Sequence, residues 1–216
     1  GEGGTGSKQT GKLRAITMTA NKAGIFCDVS SELYEDGLDF AAQLELALKK
    51  SIGYGMDSYF WNGVGAGQPV GVTQDAAIIS ITKETGQSNS SIQWENIVKL
   101  FSRMHPSCRA NAKWYCNESC LSQLLQLSIS IGTSGSWIPV LNDKDGTFKI
   151  LGKEVVFTPH LPALGTANDL VFADLSQYYV GIRRDMRIQS SDIPSWTEDL
   201  RSYRILVRFD GMGSWD

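Results

Sequence analysis

The chain has 216 residues, of which 42% are hydrophobic and 20% charged, a composition typical of a folded globular protein and not of a disordered one. The formal net charge of −3, from 20 basic and 23 acidic residues, argues against a dedicated nucleic-acid binder, which carries a basic excess. No apolar run approaches the ~20 residues of a membrane-spanning helix. The N-terminus lacks the features of a signal peptide, and the absence of an initiator Met indicates a processed or trimmed product.

The first 30 residues are predicted to hold an arm and a hairpin. Residues 1–12 are Gly, Ser, Thr, Lys and Gln for the most part and read as a mobile arm. Leu13–Thr19 and Ile25–Val29 have strand-like composition, and Asn21–Gly24 between them supplies turn residues. We therefore expect a long hairpin, which must lie against its own domain or a neighbouring subunit because an isolated hairpin is marginally stable.

A long helix follows the predicted hairpin. Ala41, Leu44, Leu48 and Ile52 recur at helical spacing, after acidic residues that can cap the first turn. The pattern continues past two glycines, where a bend is expected, and ends before Asn62.

The remaining predicted elements are short. In chain order they are a loop at 63–69, short strands within 70–90 (Ile78–Thr82 the clearest), a helix at Ser91–Met104, a strand at Lys113–Asn117, a helix at Glu118–Leu127, a loop at 130–136, a turn at Asn142–Gly146, and strands at Glu154–Thr158, Leu170–Asp174, Tyr178–Ile182 and through the alternating Tyr203, Ile205, Val207 and Phe209. Together they predict an α+β fold.

The sequence offers no motif for enzyme chemistry. The glycines at positions 1 and 6 have phosphate-loop spacing, but Ser7 stands where the lysine is required. Gly63 and Gly65 lack the third glycine of a dinucleotide fingerprint and follow a helix. His105 and His160 both lie beside prolines, and no nucleophile motif accompanies them. We expect neither an active site nor a cofactor.

A metal site is the competing interpretation for one cluster. His105, Cys108, Cys116 and Cys120 have the residue types that bind zinc, but no paired Cys-x-x-Cys knuckle is present. Cysteines at these positions pack equally well as small apolar side chains with free thiols. No metal is therefore expected, and a small metal-binding protein remains the weaker alternative.

A second cluster is basic. Arg183, Arg184 and Arg187 come directly after a predicted strand. They are typical either of a solvated strand edge or of a patch that faces another subunit or DNA.

The order of short motifs along the chain resembles that of a known family. The series runs through Val29–Asp36, Phe60–Val72, Ala112–Asn117, Ile150–Val156, Ala173–Tyr178 and Arg208–Gly211. In this order they resemble the tailed-phage major capsid proteins with the Hong Kong 97-like fold, over about residues 13–211.

The resemblance implies a domain plan. Residues 1–12 are then the remnant of the N-terminal arm, 13–30 the extended loop hairpin, 31–109 the peripheral domain with its spine helix, 110–170 the axial domain, and 171–216 the return to the peripheral domain. Apolar residues of the extended loop are expected to become buried only on assembly. The expected subunit contacts are Leu13, Ile16, Ile25, Phe26, Arg183, Arg184 and Arg187.

The resemblance also implies the function. The family forms pentamers and hexamers that tile an icosahedral shell around double-stranded DNA, without catalysis. Expected partners are other copies of the chain, the portal, scaffolding and maturation protease, and packaged DNA through non-specific contacts, but no membrane. Assembly is expected in the bacterial cytoplasm and the final location in the virion, of phage or prophage origin. An encapsulin-type compartment that encloses a cargo enzyme is the alternative.

Overall fold

The protein is described by a computed structural model over residues 15–131, 136–144 and 146–215. Four α-helices of the described residues are α1 (Ser31–Asp36), α2 (Phe40–Asn62), α3 (Trp94–Arg103) and α4 (Leu121–Gln126). The strands are β1 (Asn21–Ser30), β2 (Lys113–Cys116), β3 (Ser128–Ile131), β4 (Ser136–Pro139), β5 (Asn142–Lys144), β6 (Thr147–Ile150), β7 (Lys153–Phe157), β8 (Leu170–Ala173), β9 (Tyr178–Ser191) and β10 (Leu200–Gly213). In this part of the chain, no helix is long and apolar enough to cross a membrane.

A three-stranded antiparallel sheet joins the two ends of the described chain, in the order β1-β10-β9. The predicted alternation of β10 is confirmed, because Tyr203, Ile205, Val207 and Phe209 point to one face and are buried there. They pack against α2 in a core whose fully or nearly buried members are Val29, Leu48, Ile52, Tyr203, Ile205, Val207 and Phe209. Hydrophobic burial on one sheet face thus fixes the position of the long helix.

The long helix α2 is continuous over 23 residues, through both of its internal glycines. Its N-cap residue, Asp39, has a left-handed backbone (φ 56°) and makes no side-chain capping bond. A separate short helix, α1, precedes it and is capped by the Ser30 hydroxyl, which accepts a hydrogen bond from the Leu33 amide.

The middle of the chain forms a mixed five-stranded sheet in the order β5-β6-β7-β2-β8, with β7 and β2 parallel. α3 and α4 contribute to the same core, in which Trp114 stacks on Phe172 at 4.2 Å between ring centroids. The Trp114 indole donates a hydrogen bond to the Ile150 carbonyl (3.1 Å), so this buried polar group is satisfied. A separate two-stranded sheet, β3-β4, lies between α4 and β5 in the sequence.

A small cluster links the two larger cores. Trp61, at the end of α2, packs against Tyr115 of β2 (5.0 Å between ring centroids) and Leu161. The Asn62 amide donates to the His160 carbonyl at 2.6 Å from the same turn of the helix. The last turn of α2 therefore holds the two sheets together.

The predicted N-terminal hairpin is wrong. Residues 15–20 form no strand, and the predicted turn Asn21–Gly24 is extended within β1, where it pairs with Leu206–Phe209. Gly24 does not form a turn but gives room for the Leu206 side chain of the neighbouring strand, because a Cβ here would lie 2.6 Å from it. The backbone bonds of this segment are satisfied by a strand about 180 residues away, which no local pattern indicates.

Other predicted elements also need correction. Residues 70–93 form no strand, and Val70 makes only an isolated bridge with Val64. The predicted loop at 130–136 and turn at 142–146 contain parts of β3, β4 and β5 in the described residues. β9 extends to Ser191, nine residues beyond its predicted end at Ile182, since β10 supplies a partner for its polar half. The predicted arm at residues 1–12 lies outside the described residues.

Candidate subunit-contact surface

The three-stranded sheet has one face buried against α2 and one face turned outward. Residues directly opposite each other in an antiparallel pair share a face. The outward face therefore carries the partners of Arg204, Leu206 and Arg208 on both neighbouring strands. No described residue packs over this face, and its side chains are exposed apart from Leu206, which is half-buried.

The outward side chains form three rows across the sheet. One row is Lys22, Arg208 and Arg184, the next is Gly24, Leu206 and Arg187, and the third is Phe26, Arg204 and Gln189. Neighbouring strands lie about 4.8 Å apart. The first row thus places three cations side by side, an arrangement that destabilises an isolated sheet.

We call the five cations of these rows the basic band: Lys22, Arg184, Arg187, Arg204 and Arg208. Within the described residues, none of the five forms an ion pair. Arg204 donates from Nε to the Gln189 side-chain oxygen at 2.9 Å. Asp210, which follows the band, instead accepts hydrogen bonds from the backbone amides of Thr19 and Gly211. Among the residues that the structure describes, the band is therefore a positive surface without ion pairs, bordered on the same face by Asp28.

The predicted contact residues separate into different environments. Phe26 lies on the outward face with 70% of its surface exposed, beside Arg204. Ile25, by contrast, points inward opposite Ile205 and packs in the α2 core, so its expected burial on assembly is wrong for this chain. Ile16 is exposed in the segment before β1, and Leu13 lies outside the described residues.

The predicted arginine cluster is divided by an irregularity in the sheet. The β9–β10 register shifts on both sides of Arg208, which leaves Arg183 out of the band. Arg183 instead lines a shallow recess with Met18, Thr19 and Asp210. The other members of the band, Lys22, Arg204 and Arg208, were missed by sequence reasoning, although the alternation of β10 already placed both arginines opposite its buried residues.

The sheet ends in an acidic, apolar surface that we call the acidic tip. It consists of α1, residues 37–39 and the β9–β10 loop at 192–199, held together by the amide and hydroxyl of Ser31, which both donate to the Asp199 carbonyl (3.1 and 3.2 Å). Its exposed carboxylates are Glu32, Glu35, Asp36, Asp39, Asp192, Glu198 and Asp199. Only Asp192 among them has a basic partner in the described residues, Arg201 at 3.2 Å, whose guanidinium also lies over the Tyr34 ring.

Large apolar side chains are exposed at the same tip. Leu38 is 96% exposed, Ile193 83% and Trp196 79%. Isolated surface hydrophobics are ordinary, but several at one end of a sheet mark a surface for contact with another molecule.

The alternative metal ligands do not converge. Cys116 and Cys120 are buried together in the core of the five-stranded sheet. The hydrogen bond between the two thiols and their burial raise the pKa of Cys116, which keeps it protonated. His105 is exposed, bonded through Nδ1 to the Ser107 hydroxyl (2.6 Å), and lines with Cys108 an open cleft of about 1230 Å³. No group of three or more His, Cys, Asp or Glu in the described part of the chain could hold a metal ion.

Comparison with known proteins agrees with the fold. The model of the phage capsid family matches residues 1–213. No curated protein matches the chain. Among solved structures, the capsid of an empty GTA particle computed with C5 symmetry is similar with a TM-score of 0.74 at 17% identity, over 98% of this chain and 77% of the other.

Two further structures give the same result. The capsid of the native GTA particle, also computed with C5 symmetry, has a TM-score of 0.73 at 17% identity, over 98% of this chain and 77% of that one. A structure from Microbacterium phage Oxtober96 has a TM-score of 0.62 at 13% identity, over 92% and 67% of the two chains. At such identities the likeness is one of fold, and it covers nearly the whole chain.

Proposed function

The chain belongs to the phage capsid family and has its Hong Kong 97-like α+β fold, and from this we propose that its copies assemble into pentamers and hexamers of an icosahedral shell around double-stranded DNA. It is a structural capsid protein and a component of the virion, as the family is. Assembly takes place in the host cytoplasm, with the portal, scaffolding and maturation protease as further partners.

One observation of the structure carries this proposal. The sheet that joins both ends of the chain leaves its outward face uncovered by any described residue, with Phe26 and the basic band exposed. A chain that works as a monomer has no need for such a surface, whereas identical subunits that tile a shell bury it against their neighbours. The similarity to capsids computed with C5 symmetry supports rings of five copies.

We propose a domain plan close to the expected one. β1, α2, β9 and β10 belong to the peripheral domain, with α2 as its spine helix. The five-stranded sheet, from β2 at Lys113 to β8 at Ala173, belongs to the axial domain, which meets its copies around the five-fold and six-fold axes. Packaged DNA is held by non-specific contacts only, in keeping with the net charge of −3.

Electron microscopy and sedimentation of the protein, expressed with its natural flanking residues, test the proposal. Closed shells or rings of five and six copies are the expected result. A chain that stays monomeric at high concentration would show that the proposed function is wrong. The contents of native particles separate the two kinds of shell, since nucleic acid is expected for a phage capsid and a cargo protein for an encapsulin.

A further inference from the structure

The outward sheet face and the acidic tip have opposite charge, and we propose that the basic band of one subunit binds the acidic tip of a second copy. This inference rests on the proposed function, because it supplies the subunit contact that a shell needs. It assigns a partner to both surfaces at once and makes the contact heterologous, with a different surface on each side.

The two surfaces have opposite charges, and the numbers of unpaired charges are similar, five on the band and six on the tip among the described residues. The basic band presents five cations without an ion pair among the described residues. The acidic tip presents seven exposed carboxylates, of which one is paired within the subunit. Contact between the two surfaces would relieve the repulsion within the row of Lys22, Arg208 and Arg184.

The apolar side chains match in the same way. Phe26 and the half-buried Leu206 lie between the cations of the band. Leu38, Ile193 and Trp196 lie between the carboxylates of the tip. Aromatic side chains that become buried at the centre of a contact contribute most of its binding energy, and an arginine stacked on Trp196 adds to it.

The geometry prevents this pairing inside one subunit. Arg204, the member of the band nearest the tip, lies four residues along β10 from the start of the strand, about 13 Å, and Arg208 lies eight residues from it, about 26 Å. Both distances exceed the ~8 Å over which exposed charges act at physiological ionic strength. The two surfaces can therefore meet only between copies, in a head-to-tail series that closes into a ring or continues as a lattice.

DNA is the competing partner for the band alone. Phosphates would match the five cations, but they would leave the exposed apolar side chains and carboxylates of the tip unexplained. A second copy accounts for both surfaces of this chain, so the charge pattern favours it.

Charge exchange tests the contact. The first variant, Arg204→Glu with Arg208→Glu, leaves three cations and two carboxylates in the band, and the second, Glu35→Lys with Asp36→Lys, leaves five carboxylates and two lysines at the tip. All four side chains are exposed, so circular dichroism should show the native fold in both variants. Each variant alone is expected to place about tenfold fewer subunits in particles or rings, because the attraction is weakened and each introduced charge faces charges of its own sign.

Combining the variants gives the decisive result. The protein with all four substitutions should recover most of the assembly that each variant loses, because the introduced glutamates and the introduced lysines attract each other across the contact. An equimolar mixture of the two variants should likewise form complexes in sedimentation that neither forms alone. Arg103→Glu and Glu95→Lys change exposed charges on α3, outside both surfaces, and should have little effect.

Each other outcome has a definite meaning. Variants that assemble like the wild type, or single defects without recovery in the combined protein, would overturn the inference while closed wild-type shells still support the proposed function. Loss of binding to short double-stranded DNA in the band variant, with unaltered assembly, would assign the band to nucleic acid instead. Complexes in the mixture without any closed wild-type shell would support the contact and contradict the shell.

Discussion

Neighbouring residues of one strand have opposite roles in this protein. Ile25 and Phe26 adjoin in β1, yet Ile25 packs in the core against α2 and Phe26 is exposed beside Arg204. The period of two along a strand produces this division. At the scale of single residues, mutations that affect stability should therefore be separable from mutations that affect the proposed contact.

Two phenylalanines of the same sheet provide the first prediction. Phe209 is 2% exposed and packs edge-on against Phe60 at 5.3 Å, so Phe209→Ala should lower the free energy of unfolding by about 3–5 kcal/mol. Phe26→Ala on the opposite face should change it by less than about 0.5 kcal/mol. Urea unfolding of both variants measures the difference, and similar losses in the two would contradict the assignment of faces.

Alkaline pH should destabilise the fold through Tyr178. Burial, and then Asp210 and Asp75, raise the pKa of its hydroxyl, which donates to the Val70 carbonyl at 2.7 Å. A raised pKa contributes stability that is present below the unfolded value of about 10 and lost as pH rises above it. The wild-type free energy of unfolding should thus fall above pH ~10, more steeply than that of Tyr178→Phe by up to about 1.4 kcal/mol per pH unit.

Urea unfolding at a series of alkaline pH values checks this expectation. Burial also raises the pKa values of Tyr115 and Tyr203, so the variant retains part of the slope. Equal slopes in the two proteins would mean that Tyr178 ionises alike in the folded and unfolded chains.

Among the elements, the end of α2 makes a close backbone contact with the segment that follows it. Gly71 donates to the Gly63 carbonyl at 2.8 Å, and Thr73 donates to the carbonyl of Trp61 through both its amide and its hydroxyl. A Cβ at Gly71 would lie 2.5 Å from backbone atoms of Gly63 and Trp61. This crossing needs glycine, whereas the glycines inside α2 have open space around them.

Glycine replacements should therefore act in opposite directions. Gly71→Ala is expected to lower the free energy of unfolding by about 3 kcal/mol, because backbone must move to admit the methyl group. Gly55→Ala, inside α2, should raise it by about 0.5–1 kcal/mol through helix propensity. Thermal unfolding of both variants measures the two changes, and a stabilised Gly71→Ala protein would refute the close crossing.

Sequence reasoning located most elements whose signal is local. α2, α3, β2, α4, β7 and β8 were predicted within a few residues, because their apolar spacing and their breakers lie inside the segment itself. The prediction of a hairpin at 13–29 was wrong because Asn21–Gly24 is held in an extended conformation by pairing with β10. The polar half of β9 was missed because it also pairs with β10. For the contact surface, sequence reasoning found Phe26, Arg184 and Arg187 but not the partners that β-pairing places beside them.

At the scale of the whole molecule, one small cluster of side chains joins the two larger hydrophobic cores. The core of the α2 sheet and that of the five-stranded sheet are bridged by Trp61, Tyr115 and Leu161. Tyr54 adds a ring contact with His160 at 4.4 Å. Cooperative unfolding of the chain should therefore depend on side chains of the second half of α2.

Trp61→Ala should separate the unfolding of the two cores. In the wild type, hydrogen exchange in β10 and in β2 should respond to denaturant together, while in the variant the two strands should lose protection at different concentrations. Mass spectrometry of the two peptides measures this. Trp196→Ala, at the exposed tip, should retain a single transition, and a single transition in Trp61→Ala would mean that other contacts couple the cores.

The row of Lys22, Arg208 and Arg184 also affects how readily free subunits aggregate before assembly. A shell needs many copies at once, and the sheet has two open edges, β1 and β9, among the described residues. Open edges of this kind readily add strands from other chains and start aggregates. Lysine and arginine on both edges repel an identical edge of a second molecule, so we expect the charge that weakens the lone subunit to keep newly made chains from aggregating before the proposed assembly.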